Sequence, residues 1–98
     1  MNNVSSSEHF ELDHQLKEIG LSLATYRSKV LKKTRKDFCA MMGVSEPTLR
    51  KMERGDQGVS ISLWMKAFRI MQVDKSVVAA SRPEALILMA MMNSAPGQ

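Results

Sequence analysis

Aromatic residues are scarce in this 98-residue chain: three Phe, one Tyr and one Trp. A core of stacked rings is therefore excluded, and nine Met are the apolar residues left to fill gaps, which they do with little control of shape. The single cysteine excludes an intramolecular disulfide, and nothing asks for an oxidising compartment. Long apolar runs are missing too. The longest, 85–92, has eight residues against the ~20 that a spanning helix needs, and the start has no basic-then-apolar leader. The expectation is a cytoplasmic protein with no membrane partner. Its length suits one domain, marginally stable alone, so burial at a subunit interface, as an oligomer, is expected.

What is present is helical periodicity, and an all-α fold of five to six helices is expected. Residues 1–10 are polar and Ser/Asn-rich and are read as a disordered segment. From Leu12 the apolar positions Leu12, Leu16, Ile19, Leu23, Tyr26 and Val30 trace one helical stripe. Gly20 costs ~1 kcal/mol relative to Ala inside a helix, which makes a start or break plausible there. The preceding 11–18 is then an extension that either covers the core or meets a partner.

Residues 34–55, TRKDFCAMMGVSEPTLRKMERG, read as two short helices around a tight turn. Thr34 is a suitable N-cap, with Asp37 three residues on; Phe38, Cys39 and Met42 share one face. Gly43 can take the left-handed conformation that ends a helix, Val44 plugs the corner, and Ser45 caps the next helix. There Leu49 and Met52 point back, leaving Glu46, Pro47, Thr48, Arg50 and Lys51 outward. Because a residue before proline avoids the α region, Glu46 is an alternative cap. The pattern is that of a helix-turn-helix.

At Thr34, Phe38, Cys39, Gly43, Val44, Ser45, Thr48, Leu49, Glu53, Arg54 and Gly55 the chain resembles the lambda-repressor-like (Xre) helix-turn-helix family. The resemblance covers roughly 19–80. Residues 44–64, VSEPTLRKMERGDQGVSISLW, look still more like the subgroup of Hip-type antitoxins and regulators. There are two departures: Arg35 stands where the family usually has Gln, and Lys33 where it has a core Leu. The resemblance implies a compact lambda-repressor-like domain over 11–81, first helix beginning near Gly20. It also implies base contacts at Glu46, Pro47 and Lys51, with Arg50 close by.

The chemistry of the residues agrees. Glu46 can accept from cytosine N4, Pro47 can touch a thymine methyl, and Lys51 can reach guanine O6 and N7. Arg35 at the start of its helix is a phosphate contact, with Ser45, Thr48 and Arg54 as further candidates. Glu53 and Arg54 have a second reading as scaffolding that ties the motif to the first helix through Arg27. Residues 27–54 hold nine of the fourteen basic residues against three acids, a local +6 in a chain of net +4. A basic block that coincides with the motif is the footprint of a phosphate-binding surface.

Further on, Asp56, Gln57 and Gly58 form a turn, and Ser60 caps a fourth helix apolar on two sides, with Trp64 as core rather than as a base-stacking ring. A fifth helix runs from Asp74 to Ala80. Ser81 or Arg82 then caps a last helix, with Pro83 in its first turn. That segment, 82–93, carries Leu86, Ile87, Leu88, Met89, Met91 and Met92. It either tucks against the first and fifth helices or forms a two-fold interface with its copy; the second is preferred, since paired half-sites call for a dimer. Residues 94–98 are expected to fray.

No catalytic set emerges. His9 and His14 lie near Glu8, Glu11 and Asp13, but their spacing makes a poor metal site. Cys39 reads as a small core residue. Neither an enzyme nor a cofactor nor a metal is expected. The leading expectation is a homodimeric regulator, most simply a repressor, of palindromic double-stranded DNA. The alternative is an antitoxin that binds a kinase-like toxin protein, with DNA binding as autoregulation.

Overall fold

The computed structural model describes residues 6–93, and all regular structure among them is helical. Helix α1 (Ser6–Thr25) continues as a π turn (Tyr26–Val30) and is followed by α2 (Arg35–Met42), α3 (Glu46–Glu53), α4 (Ile61–Ile70), α5 (Asp74–Ala80) and α6 (Pro83–Asn93). This is the all-α, five- to six-helix architecture that the periodicity predicts. The chain falls into two compact units, Met1–Ala67 and Phe68–Gln98, with the boundary within α4.

In the first unit α1 starts at Ser6, which corrects the expected disorder of 1–10 for residues 6–10; residues 1–5 lie outside the described part. The helix also runs unbroken through Gly20. The reason is packing: a Cβ at Gly20 would sit 2.5 Å from the Glu53 carbonyl oxygen and 2.6 Å from that of Met52. Gly20 is thus the point where α1 comes down on the C-terminal end of α3. Gly55 makes the reciprocal approach, its absent Cβ lying 2.6 Å from the Lys17 amide nitrogen, and its φ of +79° suits glycine as well.

The end of α1 departs from the expected stripe. The Leu31 amide donates to the Tyr26 carbonyl at 2.9 Å, a bond one residue longer than α-helical, and Lys32 follows at φ 55°. The wider turn takes later residues out of phase. Val30, within that turn, is therefore exposed; before it, Leu23 is fully buried, Leu16, Ile19 and Tyr26 are half-buried, and Leu12 is exposed.

The caps form as the residues dictate. Thr34 accepts from the Asp37 amide at 3.2 Å, and Ser45 from the Thr48 amide at 3.3 Å. Ser45 rather than Glu46 is therefore the N-cap, and Glu46 and Pro47 occupy the first helical turn. Between the helices Gly43 sits at φ 72°, and the amides of Gly43 and Val44 both donate to the Cys39 carbonyl, at 2.8 and 3.1 Å. Leu23, Phe38, Cys39, Met42, Leu49, Met52, Trp64 and Ala67 make the core. Met42 and Met52 are the methionines buried there, while Met41, Met89, Met91 and Met92 are exposed, so the expected Met-filled interior is not what forms. Helix α4, capped by Ser60, which accepts from the Leu63 amide at 3.3 Å, buries Trp64 and Ala67 and leaves Ile61 exposed. It is less enclosed than its two apolar faces suggest.

In the second unit α5 packs on α6. The Ser81 hydroxyl donates back to the Val77 carbonyl at 2.7 Å, which satisfies the end of α5; Pro83 then opens α6. Neither helix has a buried residue, and the six large apolar side chains expected in an interface are 49–69% exposed. Residues 94–98 lie outside the described part.

The close approach at Gly20 sets a test. Alanine is the better helix former by ~1 kcal/mol, yet here its methyl meets two backbone carbonyls that have no rotamer to give. Gly20→Ala is expected to destabilise the protein by a net ~2 kcal/mol, read from the urea midpoint; a gain in stability would contradict the packing described.

Candidate nucleic-acid interface

The outward surface of α2 and α3 is set by one carboxylate behind it. Glu53, the last residue of α3, has a side chain only 6% exposed and is shared by two guanidiniums. Arg27 Nε donates to Glu53 Oε2 at 2.7 Å and Arg27 Nη2 to Oε1 at 3.3 Å; Arg35 Nε donates to the same Oε1 at 3.0 Å. Arg27 also donates through Nη1 to the Lys33 carbonyl at 2.9 Å, while the Lys33 amide donates to the Arg27 carbonyl at 3.0 Å. The corner where the resembled family usually has a core Leu is thus fastened by the backbone of Lys33. Among the described residues no buried side-chain nitrogen or oxygen lacks a hydrogen-bond partner.

Most of the residues expected to bind DNA are brought to this surface. Ser45, Glu46, Pro47, Arg50 and Lys51 are exposed along the first turn and outer face of α3; Thr48 is half-buried, and the Ser45 hydroxyl donates to its Oγ1 at 2.9 Å. Ser45 and Thr48 therefore hold each other and the helix start. Arg50 lies 3.9 Å from Glu46 one turn back, an exposed pair of little energetic weight.

Arg35 requires a revision. It opens α2 as expected, but its Nε is committed to Glu53, so it is part of the scaffold as well as of the surface; its side chain remains 45% exposed. Arg54 is revised in the other direction. The scaffolding role shared with Glu53 falls to Arg27 and Arg35, whereas Arg54 sits beside Asp56 at 3.6 Å on the surface. The Asp56 carboxylate also accepts from the Gly58 amide at 2.7 Å, and this bond, helped by Arg54, holds its pKa below the ordinary value. A depressed carboxyl stabilises the loop above its ordinary titration range, and that contribution is lost as pH falls through the folded value.

Arg35, Arg50, Glu53 and Arg54 together with Ala24 of α1 line an open cleft of about 310 Å³. Ala24 carried no signal in the sequence, because a half-buried alanine on a helix is indistinguishable from any other until its neighbours are known. Cys39 is buried in the core, and that burial, with Glu46 and Glu53 adding to it, raises its thiol pKa, the state of an inert side chain. No three His, Cys, Asp or Glu among the described residues are grouped to hold a metal, and no helix among them is long and apolar enough to cross a membrane. The six residues of α6 expected in an interface, Leu86, Ile87, Leu88, Met89, Met91 and Met92, belong to the second unit.

Comparison with family models, with curated proteins and with solved structures gives no match for this chain.

The shared carboxylate predicts an asymmetry between neighbours. Glu53→Gln keeps the shape but leaves Arg27, 11% exposed, without its counter-charge, and is expected to lose about 3 kcal/mol, the lower end for a broken buried pair. Arg54→Ala, one residue on, is expected to stay within about 0.5 kcal/mol, as an exposed pair should. Chemical denaturation of both variants checks the contrast, and equal losses would contradict it.

Proposed function

We propose that this protein is a sequence-specific double-stranded-DNA-binding regulator, a repressor that acts as a homodimer on paired half-sites. The observation that carries the reading is the first turn of α3: capped by Ser45, exposed at Glu46, Pro47, Arg50 and Lys51, and fixed from behind by Glu53. A helix that is to read base edges needs its N-terminal side chains free and its backbone immobile. Both conditions are met here, within a stretch of local charge +6. The resemblance to the lambda-repressor-like family rests on the same residues.

Division of labour follows from chemistry. Glu46 and Lys51 discriminate bases through hydrogen bonds, Pro47 through apolar contact, and the surrounding arginines supply affinity without sequence information. The partner for a two-fold operator is a second copy. In that reading α6 supplies the seam, because Leu86, Ile87, Leu88, Met89, Met91 and Met92 are all exposed, and so much exposed apolar surface on one helix favours an interaction site.

Selection of bound sites from random duplexes tests the reading as a whole: a recurrent half-site in inverted repeat is expected, and recovery of no preferred sequence would sink it. On the best selected site Glu46→Ala and Lys51→Ala should each cost about 1–3 kcal/mol, with much smaller losses on random duplex. Equal losses on the two DNAs, measured by titration, would reduce both residues to electrostatic helpers.

Leu88→Glu tests the seam. Leu88 is 58% exposed, so the charge should leave the helical signal intact while opposing association. The variant is expected to sediment as a monomer and to lose affinity for the two-half-site operator far more than for random DNA. A folded variant that stays dimeric places the interface elsewhere.

A further inference from the structure

We infer that the cleft between α1, α2 and α3 seats a single phosphodiester of the DNA backbone, with Glu53 as the residue that positions Arg35 in it and Ala24 as its floor. This rests on the DNA-binding reading above and goes beyond it by assigning one phosphate to three arginines that would otherwise count as three independent contacts.

Three observations converge. Arg35 opens α2, Arg50 lies on α3 and Arg54 follows the end of α3, yet all line one opening of about 310 Å³, large enough for a phosphate group with its hydration. Its lining is net positive: Arg35, Arg50 and Arg54 outnumber the one carboxylate, Glu53, as a seat for an anion requires. Finally, Arg35 is not free to follow a phosphate elsewhere. Its Nε is held 3.0 Å from the nearly buried Glu53 carboxylate, which Arg27 fixes in turn. The guanidinium is thus pre-set at the cleft rather than recruited to it, and the two looser pairs, Arg50 with Glu46 and Arg54 with Asp56, can open toward an incoming anion.

The floor offers a probe that changes no charge. Ala24→Leu puts three more carbons into the cleft, whereas Ala24→Ser adds a single oxygen. The dependence of duplex affinity on salt counts phosphates neutralised, ~0.9 in the log–log slope for each. The slope is expected to fall by ~0.9 in Ala24→Leu and to stay unchanged in Ala24→Ser. It should likewise fall by ~0.9 in the triple variant Arg35→Ala, Arg50→Ala, Arg54→Ala, and no further when Ala24→Leu is added to the triple. A drop of ~2.7 in the triple would mean three separate phosphates and overturn the shared seat, as would an unchanged slope in a folded Ala24→Leu; either result leaves DNA binding standing. If Ala24→Leu does not fold, the triple variant decides alone, since its three side chains are 45–64% exposed. A wild-type protein without duplex affinity would overturn this inference and the reading beneath it together. Inorganic phosphate should compete no better than chloride at matched ionic strength; competition in the low millimolar range would assign the cleft to a free anion and overturn the backbone assignment.

Discussion

The first unit depends on one carboxylate with more than one claim on it. Glu53 lies at the end of α3, at the place where α1 comes nearest, and its two oxygens hold Arg27 of the π turn and Arg35 of α2. Three chain segments separated in sequence are thus pinned at one point. The pin alone would not position them, because a salt bridge fixes a distance better than it fixes an angle. The angle comes from Gly20, where the missing side chain lets the α1 backbone rest against the carbonyls of Met52 and Glu53. Charge and close packing act on the same turn of α3, and the exposed first turn of that helix inherits its orientation from them.

The motif was legible in the sequence because its signals are local. Thr34, Gly43 and Ser45 each act through a bond that spans a few residues, so cap, turn and cap could be placed without knowledge of the rest. Glu53 and Arg27 could be suspected as partners by charge and position. What stayed hidden needs the third dimension. Gly20 could equally mark a break or a close approach, and helix propensity favoured the break; the packing against α3 decides for the approach. Arg35 at a helix N-terminus suggested a free phosphate ligand, since the carboxylate it meets, Glu53, lies eighteen residues away in sequence. The early start of α1 was hidden for a similar reason: the polar composition of 6–10 argues against order, but a helix already held at Leu23 and Gly20 extends outward at small cost per residue.

The two units solve the burial problem differently. In Met1–Ala67 eight apolar residues make a core, and the charged pair that is nearly buried, Arg27 with Glu53, is matched. In Phe68–Gln98 there is no buried residue on α5 or α6, and the apolar side chains are spread around the whole of the last helix. A helix of that composition has no single face by which to dock.

The π turn at Tyr26–Val30 makes the joint sensitive to chain length rather than to composition. Each helical residue turns the chain by about 100°, and the π turn contains one residue more than the α-helix would use. A substitution within it at Ser28, Lys29 or Val30 changes a side chain and leaves Arg27 aimed at Glu53. Removal of one residue after Tyr26 would restore α-helical phase and swing everything beyond by about a quarter turn, parting Lys33 from Arg27 and α2 from its place beside α3. Exchanges at the exposed Ser28, Lys29 and Val30 should therefore cost little, while the loss or gain of one residue between Arg27 and Lys33 would undo the joint.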